Sequence, residues 1–319
     1  MSRPTLQRPW AVVLAAGEGT RLSELTSDHD GTRVPKQFCS LYGTTTLLQD
    51  AICRARGFAV PTRISMIVAK QHHRWWGNRL LSAPDVDVIV QPANRGTAFG
   101  VLLAALAIAA RDPLARLVFL PSDHFVPDEL ALASALTAVA HTSMRSGELV
   151  LLGIEPSEPD SELGYIVPAT SKGADDPRSV ARFVEKPSRP DAAALIAGGA
   201  LWNSFIFSAG AATIIELMRS RHPELVDDLE TATARGAGAL ASLYDRLPTI
   251  DLSRDILAGA EQRLRVVRAA PCGWSDLGTP RRVAECVRRL PKAVAYVTDI
   301  AGSNFINLGA AVGRLRLAC

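Results

Sequence analysis

A six-residue apolar run, Trp10 to Ala15, empties directly into Gly17-Glu18-Gly19-Thr20. An unbroken apolar run that short reads as a strand buried on both faces. Glycines immediately after it let the chain turn tightly with its backbone N–H groups available to a ligand. The pattern then repeats. Predicted strands over 63–69, 87–90, 117–120 and 149–154 alternate with predicted helices over 46–56, 71–81, 97–111 and 128–145. Such alternation argues for an α/β fold, a mainly parallel sheet with helices on both faces. The second half is less regular, with strands expected over 164–167, 180–185, 201–207 and 264–268 and two or three helices within 209–243. A last helix is signalled by Thr279 as its cap and Pro280 at its first position. The expected organisation is one large domain, residues 1–290, and a short appendage, 291–319, whose two alternating stretches (293–297 and 305–308) read as a hairpin or arm.

Composition removes several function classes. The 35 Lys and Arg stand against 32 Asp and Glu, and a net charge of +3 is too small for a nucleic-acid footprint. With 48% apolar and 21% charged residues the chain can build a sizeable core, which excludes disorder as a description of the whole. No apolar run approaches the ~18 residues of a membrane span, and the N-terminal run is too short for a signal peptide, so neither a membrane nor export is expected. Cys39, Cys53, Cys272, Cys286 and Cys319 are scattered, with no C-x-x-C pair. They read as reduced thiols of a cytoplasmic protein, neither a disulfide framework nor a zinc site. Of the 35 basic residues only Lys36, Lys70, Lys172, Lys186 and Lys292 are lysines, so a lysine inside a conspicuous motif stands out from the arginine background.

Open parallel sheets bind ligands at the carboxyl ends of their strands. Four polar motifs fall at predicted strand ends: the Gly17 loop, the segment 91–97, Pro121-Ser122-Asp123-His124 and Trp274-Ser275-Asp276. The loop alone says little. A dinucleotide fingerprint would need glycine where Leu22 stands, and a P-loop would need Gly-Lys-Ser/Thr.

Taken in order along the chain, eight motifs carry a more specific signal: AAGEGTRL, VPKQF, QPANRGTAFG, FLPSDHF, LGYIVPA, FVEKPSRP, GALWNSFIF and GWSDLGTP. Together they resemble the sugar-1-phosphate nucleotidyltransferases over residues 10–285, and within them the mannose-1-phosphate guanylyltransferases. The resemblance implies a GT-A-like, Rossmann-type nucleotidyltransferase fold. It also implies the reaction of a nucleoside triphosphate with a sugar 1-phosphate to give a nucleotide sugar and pyrophosphate, with Mg²⁺. The substrates would be the partners, and the oligomeric state is left open. Two departures bear on nucleotide and sugar identity. Ser23-Glu24-Leu25-Thr26 lacks the tryptophan and proline common after G-T-R-L, and Thr279-Pro280 replaces a common Ser-Trp. The chain also ends too early for the left-handed β-helix of some relatives.

The resemblance implies roles residue by residue. Arg21 and Lys36 would face the triphosphate, Lys36 near the reacting phosphorus, and Asp123 and Asp276 would hold the metal. Leu14, Ala16, Gly17, Gly19, Thr20, Gln91, Asn94, Gly96, Thr97 and Ser122 would cradle the nucleotide. Lys186 would take the phosphate of the sugar phosphate, with Gly164, Tyr165, Glu185, Trp202 and Asn203 around the sugar; Trp202 reads equally well as core. A phosphate monoester is already mostly dianionic at neutral pH, so no protein base is needed. His72, His73 and His124 are accordingly read as structural. Gln91 can donate or accept and does not by itself separate guanine from adenine or a pyrimidine. Guanylyl transfer to mannose 1-phosphate is the first expectation. Another triphosphate (UTP, dTTP, CTP or ATP), another sugar (a heptose or glucose), or an inactive regulatory subunit are the alternatives.

Overall fold

The computed structural model describes residues 8–22, 25–27, 31–41, 45–77, 85–170 and 177–290; the expected appendage lies outside them. The apolar runs become strands. β1 (Trp10–Ala15), β2 (Ile64–Ala69), β3 (Asp87–Gln91) and β4 (Arg116–Pro121) form a parallel block in the order β3-β2-β1-β4. Beyond it stand β5 (Leu149–Ile154), β6 (Gly164–Pro168), β7 (Arg178–Glu185), β8 (Leu201–Gly210) and β9 (Leu264–Arg268). β8 inserts antiparallel between β4 and β5, β9 runs parallel to β5, and β7 and β6 complete the order antiparallel to their neighbours. The sheet is therefore mixed, its parallel character concentrated in the first half. β6 pairs with the beginning of β8 while β4 pairs with its end, so one long strand serves both halves.

Strand periodicity divides the core into two layers. Along β1, Ala11, Val13 and Ala15 face one cluster and Trp10 and Val12 the other; β4 and β5 alternate in the same way. The first layer is covered by α1 (Leu47–Arg56), α4 (Glu129–Ser146), α5 (Arg189–Ala197) and α9 (Pro280–Arg289). The second is covered by α3 (Thr97–Ala109), α6 (Ala211–Arg221), α7 (Pro223–Arg235) and α8 (Ala237–Arg246). α3 is apolar on nearly every side because it lies between the sheet and α6 and α7. Helices thus flank both faces, as expected.

Local signals worked where they rest on neighbouring residues. Thr46 caps α1 in a reciprocal capping box with Gln49, Asp128 caps α4, and Thr279 caps α9 by accepting from the Arg282 N–H, with Pro280 at the first position. The helix expected over 71–81 is the main departure. Among the described residues it consists of a 3₁₀ turn, Lys70–His72, and α2 (His73–Trp76), closed at Gly77, with the Trp76 indole donating back to the Ala69 carbonyl; 78–84 lie outside the described residues. Cys53, Cys272 and Cys286 are free thiols, as expected. No helix among the described residues is long and apolar enough to cross a membrane.

Candidate active site

A cleft of about 540 Å³ opens at the carboxyl edge of the parallel block and continues between the ends of β6, β7 and β8. Every candidate site residue named from the sequence lines it except Gly19, Thr20, Lys36, Tyr165 and Trp202. The turn after β1 is fixed from two sides. The Gln37 amide donates to the Ala15 and Gly17 carbonyls, and Ser122 returns both its N–H and its hydroxyl to the Leu14 carbonyl. Gly19 stands outside the cleft, turning the loop against the Lys36 backbone, and Thr20 opens the short 3₁₀ turn that carries Arg21.

Cations and carboxylates gather at one end. Lys36 is buried, and its ammonium donates to Asp123 Oδ2 (3.0 Å) and to the carbonyls of Asp276 (2.6 Å) and Leu277 (3.3 Å). It stands behind Asp123, joining the loop after β4 to the loop before α9, rather than in the cleft where the resemblance put it. Burial would raise the Asp123 carboxyl, but Lys36, helped by Arg21, outweighs it and holds the group below the usual carboxylate range. His124 is buried beside it and accepts from the Trp274 indole through Nδ1 (3.1 Å). Burial above all, with Lys36 and Arg54 adding to it, lowers its pKa to about 3, so the ring is neutral at physiological pH and anchors Trp274. That fits the structural role read from the sequence.

Asp123 and Asp276 offer hard oxygens suited to a divalent cation. Their inner oxygens are occupied: Asp123 Oδ2 by Lys36, Asp276 Oδ1 by Arg282 and the Gly278 N–H. Asp123 Oδ1 lies 3.9 Å from His124 Nε2 and Asp276 Oδ2 lies 3.9 Å from Arg21 Nη2, both beyond hydrogen-bond reach. Among the described residues no group of three or more His, Cys, Asp or Glu is placed to hold a metal. The residues therefore fit a cation bound by one or two carboxylates and completed by phosphate oxygens, the habit of Mg²⁺.

The opposite end depends on an irregular strand. Leu151 pairs with Phe207 but Gly153 with Asn203, so β8 carries extra residues at a bulge. Consecutive residues of a regular strand point to opposite faces, yet Asn203, Ser204 and Phe205 all border the cleft. Phe205 adopts φ 58°, and its N–H donates to Asn203 Oδ1 at 3.1 Å. Lys186 is likewise left-handed (φ 48°), as is Leu277 (φ 49°) next to Asp276. Two strained non-glycine residues at the cleft, and a third beside Asp276, mark where the fold sustains local cost, each of the order of 1–3 kcal/mol.

Glu185 faces Gly164 across the β6–β7 pair so closely that a Cβ on Gly164 would meet its Oε2 at 2.5 Å. Burial first and the Asp251 carboxylate second raise Glu185 to about 7, against Lys186 and Arg254. Because the folded pKa exceeds the unfolded one, the native state holds the extra proton, and stability falls as pH rises from about 4.5 to about 7. Glu185→Gln removes that dependence. The Tm of the variant relative to wild type is expected to climb across this window and level off above it; a pH-independent difference would refute the assignment.

At the third corner Gly96 (φ +87°) opens α3, and a Cβ there would lie 2.2 Å from the Ile250 carbonyl oxygen. Around it the Ala98 N–H donates to that same carbonyl, Ile250 N–H to the Arg95 carbonyl, and Leu252 N–H to Thr97 Oγ1. Gly96→Ala is therefore expected to cost about 3 kcal/mol by chemical denaturation, from a left-handed φ and a backbone clash that no side chain can relieve. The buried Gln91 side chain forms part of the wall it shares with Ile67 and Gly100, beside the buried Tyr244 hydroxyl.

Two expectations need correction. Tyr165 and Trp202 do not border the cleft. Tyr165 is wholly buried, its hydroxyl bonded to the Asp160 N–H and carbonyl and to the Trp202 indole, so the pair braces the loop before β6. Both point to the sheet face opposite their neighbours Gly164 and Asn203, as strand alternation requires. The sequence reading also missed residues. Gln37 sits inside the quoted VPKQF stretch; Glu162, which accepts from Arg21, and the Asp251–Arg254 wall belong to irregular segments without periodicity.

Comparison with known proteins agrees with this geometry. A sequence model described as nucleotidyl transferase matches residues 10–292. The chain is 34% identical over 290 residues to a mannose-1-phosphate guanylyltransferase of Escherichia coli K12, covering 85% of this chain and 58% of that protein. It is 35% identical over 278 residues to the xanthan biosynthesis protein XanB of Xanthomonas campestris, covering 84% and 57%. The chain thus spans under three-fifths of the length of the curated relatives it matches. A crystal structure titled mannose-1-phosphate geranyltransferase, from Thermus thermophilus, superposes with a TM-score of 0.77 at 31% identity, covering 89% of this chain and 81% of that one. A UDP-glucose pyrophosphorylase at 14% identity (TM-score 0.57, covering 88% of this chain and 98% of that one) shares the fold alone. A cleft of this build, a family match along nearly the whole described chain and relatives of this kind lead to one conclusion: the chain belongs to the nucleotidyl transferase family.

Proposed function

We propose that the protein transfers a guanylyl group from GTP to mannose 1-phosphate, forming GDP-mannose and releasing pyrophosphate, with Mg²⁺. Members of this family act with a divalent metal. The observation that carries the reading is a single cleft with cations and carboxylates (Arg21, Asp123, Asp276) at one end and Glu185, Lys186 and Asn203 at the other. Arg21, half-exposed and held loosely by Glu162 at 3.4 Å, would turn to the triphosphate. Asp123 and Asp276 would hold the divalent cation, which supplies charge neutralisation for the phosphates. Gln91 and the Gly96–Thr97 turn, which line the cleft, would receive the base. An oxygen of the sugar phosphate attacks the α-phosphorus and the bond to pyrophosphate breaks, so the protein's task is to align two anions that repel each other. The same reading sets the reaction in the cytoplasm, where nucleoside triphosphates are available.

Lys186, with 58% of its side chain exposed and its ammonium 4.0 Å from Glu185, is free to meet a phosphate. Lys186→Ala is expected to raise KM for the sugar phosphate about tenfold or more while leaving KM for GTP nearly unchanged, since one substrate alone loses a charge-assisted contact. Lys186→Arg would not restore full activity, because a planar fork cannot replace a compact ammonium. Equal effects on both substrates would place Lys186 elsewhere. The assignment as a whole is tested by pairing five nucleoside triphosphates with several sugar 1-phosphates under pyrophosphate detection. A tenfold higher kcat/KM with another triphosphate would overturn the guanylyl reading and leave the reaction class standing.

A further inference from the structure

Arg282 lies on the first turn of α9, and nothing in the motif it follows assigns it a role. Its guanidinium spans two carboxylates: Nη1 donates to Asp276 Oδ1 and Nη2 to Asp160 Oδ2. All three side chains are nearly buried, at 10%, 11% and 10% exposure for Arg282, Asp276 and Asp160. Asp160 is itself immobilised. Its N–H and carbonyl both bond the Tyr165 hydroxyl (2.9 and 3.0 Å), and its Oδ1 accepts from the Glu162 N–H at 2.7 Å. Asp276 Oδ1 takes a second donor, the Gly278 N–H at 3.1 Å. The approach is tight enough that a Cβ on Gly278 would meet Asp276 Oδ2 at 2.4 Å and Arg282 Nη1 at 3.1 Å.

We infer that Arg282 is a positioning residue for Asp276. It fixes Oδ1 inward and so turns Oδ2 alone toward the cleft, using Asp160 as its anchor. A guanidinium suits this task, because its fixed planar fork directs a separate Nη donor at each of the two carboxylates. One cation shared by two carboxylates leaves the formal charge of the trio negative. The loop before β6 is thereby tied to the phosphate end of the cleft. Along it Glu158, Asp160 and Glu162 meet Arg281, Arg282 and Arg21 in turn. The inference rests on the proposed role of Asp276 toward the metal and phosphates.

The test uses Arg282→Lys, which keeps the charge and loses the fork, and Asp160→Asn, which loosens the anchor from outside the cleft. Each is measured for kcat, for KM of both substrates, for Tm, and for Mn²⁺ binding to the substrate-free protein by electron paramagnetic resonance. Expected are kcat lowered about tenfold or more and Mn²⁺ affinity weakened to a similar degree, with both KM values within a few-fold of wild type. A variant that loses Tm but keeps wild-type kcat and Mn²⁺ affinity would show a merely structural ion pair and overturn the inference. Asp276→Asn is measured alongside. If it abolishes turnover while both variants behave as wild type, the positioning role alone falls; if it too leaves turnover and Mn²⁺ binding unchanged, the reading of Asp276 falls and the inference with it.

Discussion

Asp123→Asn is expected to lower kcat about a thousandfold, with a raised requirement for divalent metal and only a small change in Tm. The size follows from losing a charge where the transition state needs its metal and phosphates held, an effect of ~3–4 kcal/mol in comparable electrostatic sites. The small Tm change follows from geometry. The Asp123 side chain is 37% exposed, an amide oxygen still accepts from Lys36, and Lys36 keeps its two carbonyl partners. Asp276→Asn should lower turnover as much but cost more stability, because it breaks an ion pair with Arg282 in which both side chains are about nine-tenths buried. The contrast between the two variants matters, since a capping role for either aspartate would survive replacement by asparagine. Near-normal turnover in both would remove the metal site from the account.

How much of this was legible from sequence depended on the range over which each interaction acts. Strands such as Trp10–Ala15 and Leu149–Ile154 declare themselves through uninterrupted apolar residues, and caps such as Thr46 and Thr279 through their own next turn. Their carboxyl ends then locate the cleft, which is why Gln91, Ser122 and Asp123 were found. The directions of side chains on the irregular half were not legible. The bulge that brings Asn203, Ser204 and Phe205 to one side depends on the β5 register, and no local signal announces it. Tyr165 and Trp202 sit in quoted motifs yet brace the wall from behind, since alternation sends every second residue of a strand away from the ligand. The Asp251 wall comes from a π-helical turn, Leu252–Leu257, clamped to the start of α3 by residues some 150 positions away, and only the folded chain shows it.

Lys36 brings the two levels into direct opposition, and Lys36→Met separates them. The resemblance puts its ammonium against the triphosphate. A lysine acting only there would be exposed without ligand, and its loss would raise KM for the nucleotide and leave the ligand-free protein as stable as before. In the structure the residue is 4% exposed and its three donors are directed at Asp123 Oδ2 and the carbonyls of Asp276 and Leu277. Methionine has nearly the same length and packs in the same channel, so the cavity term is small. What is lost is the buried cation between two carboxylate-bearing loops, leaving two buried carbonyls without its donors and Asp123 without its ion pair. The expected cost is about 3 kcal/mol, less than for a fully enclosed pair because Asp123 partly faces water, and it should appear as a fall of several degrees in Tm with no nucleotide present. Turnover should fall by orders of magnitude as well, since both metal-facing carboxylates lose their common support and Asp123 drifts back toward its ordinary pKa or above it. An unchanged ligand-free Tm together with a raised KM for GTP would return Lys36 to the cleft and make the buried arrangement a resting state that the nucleotide dismantles.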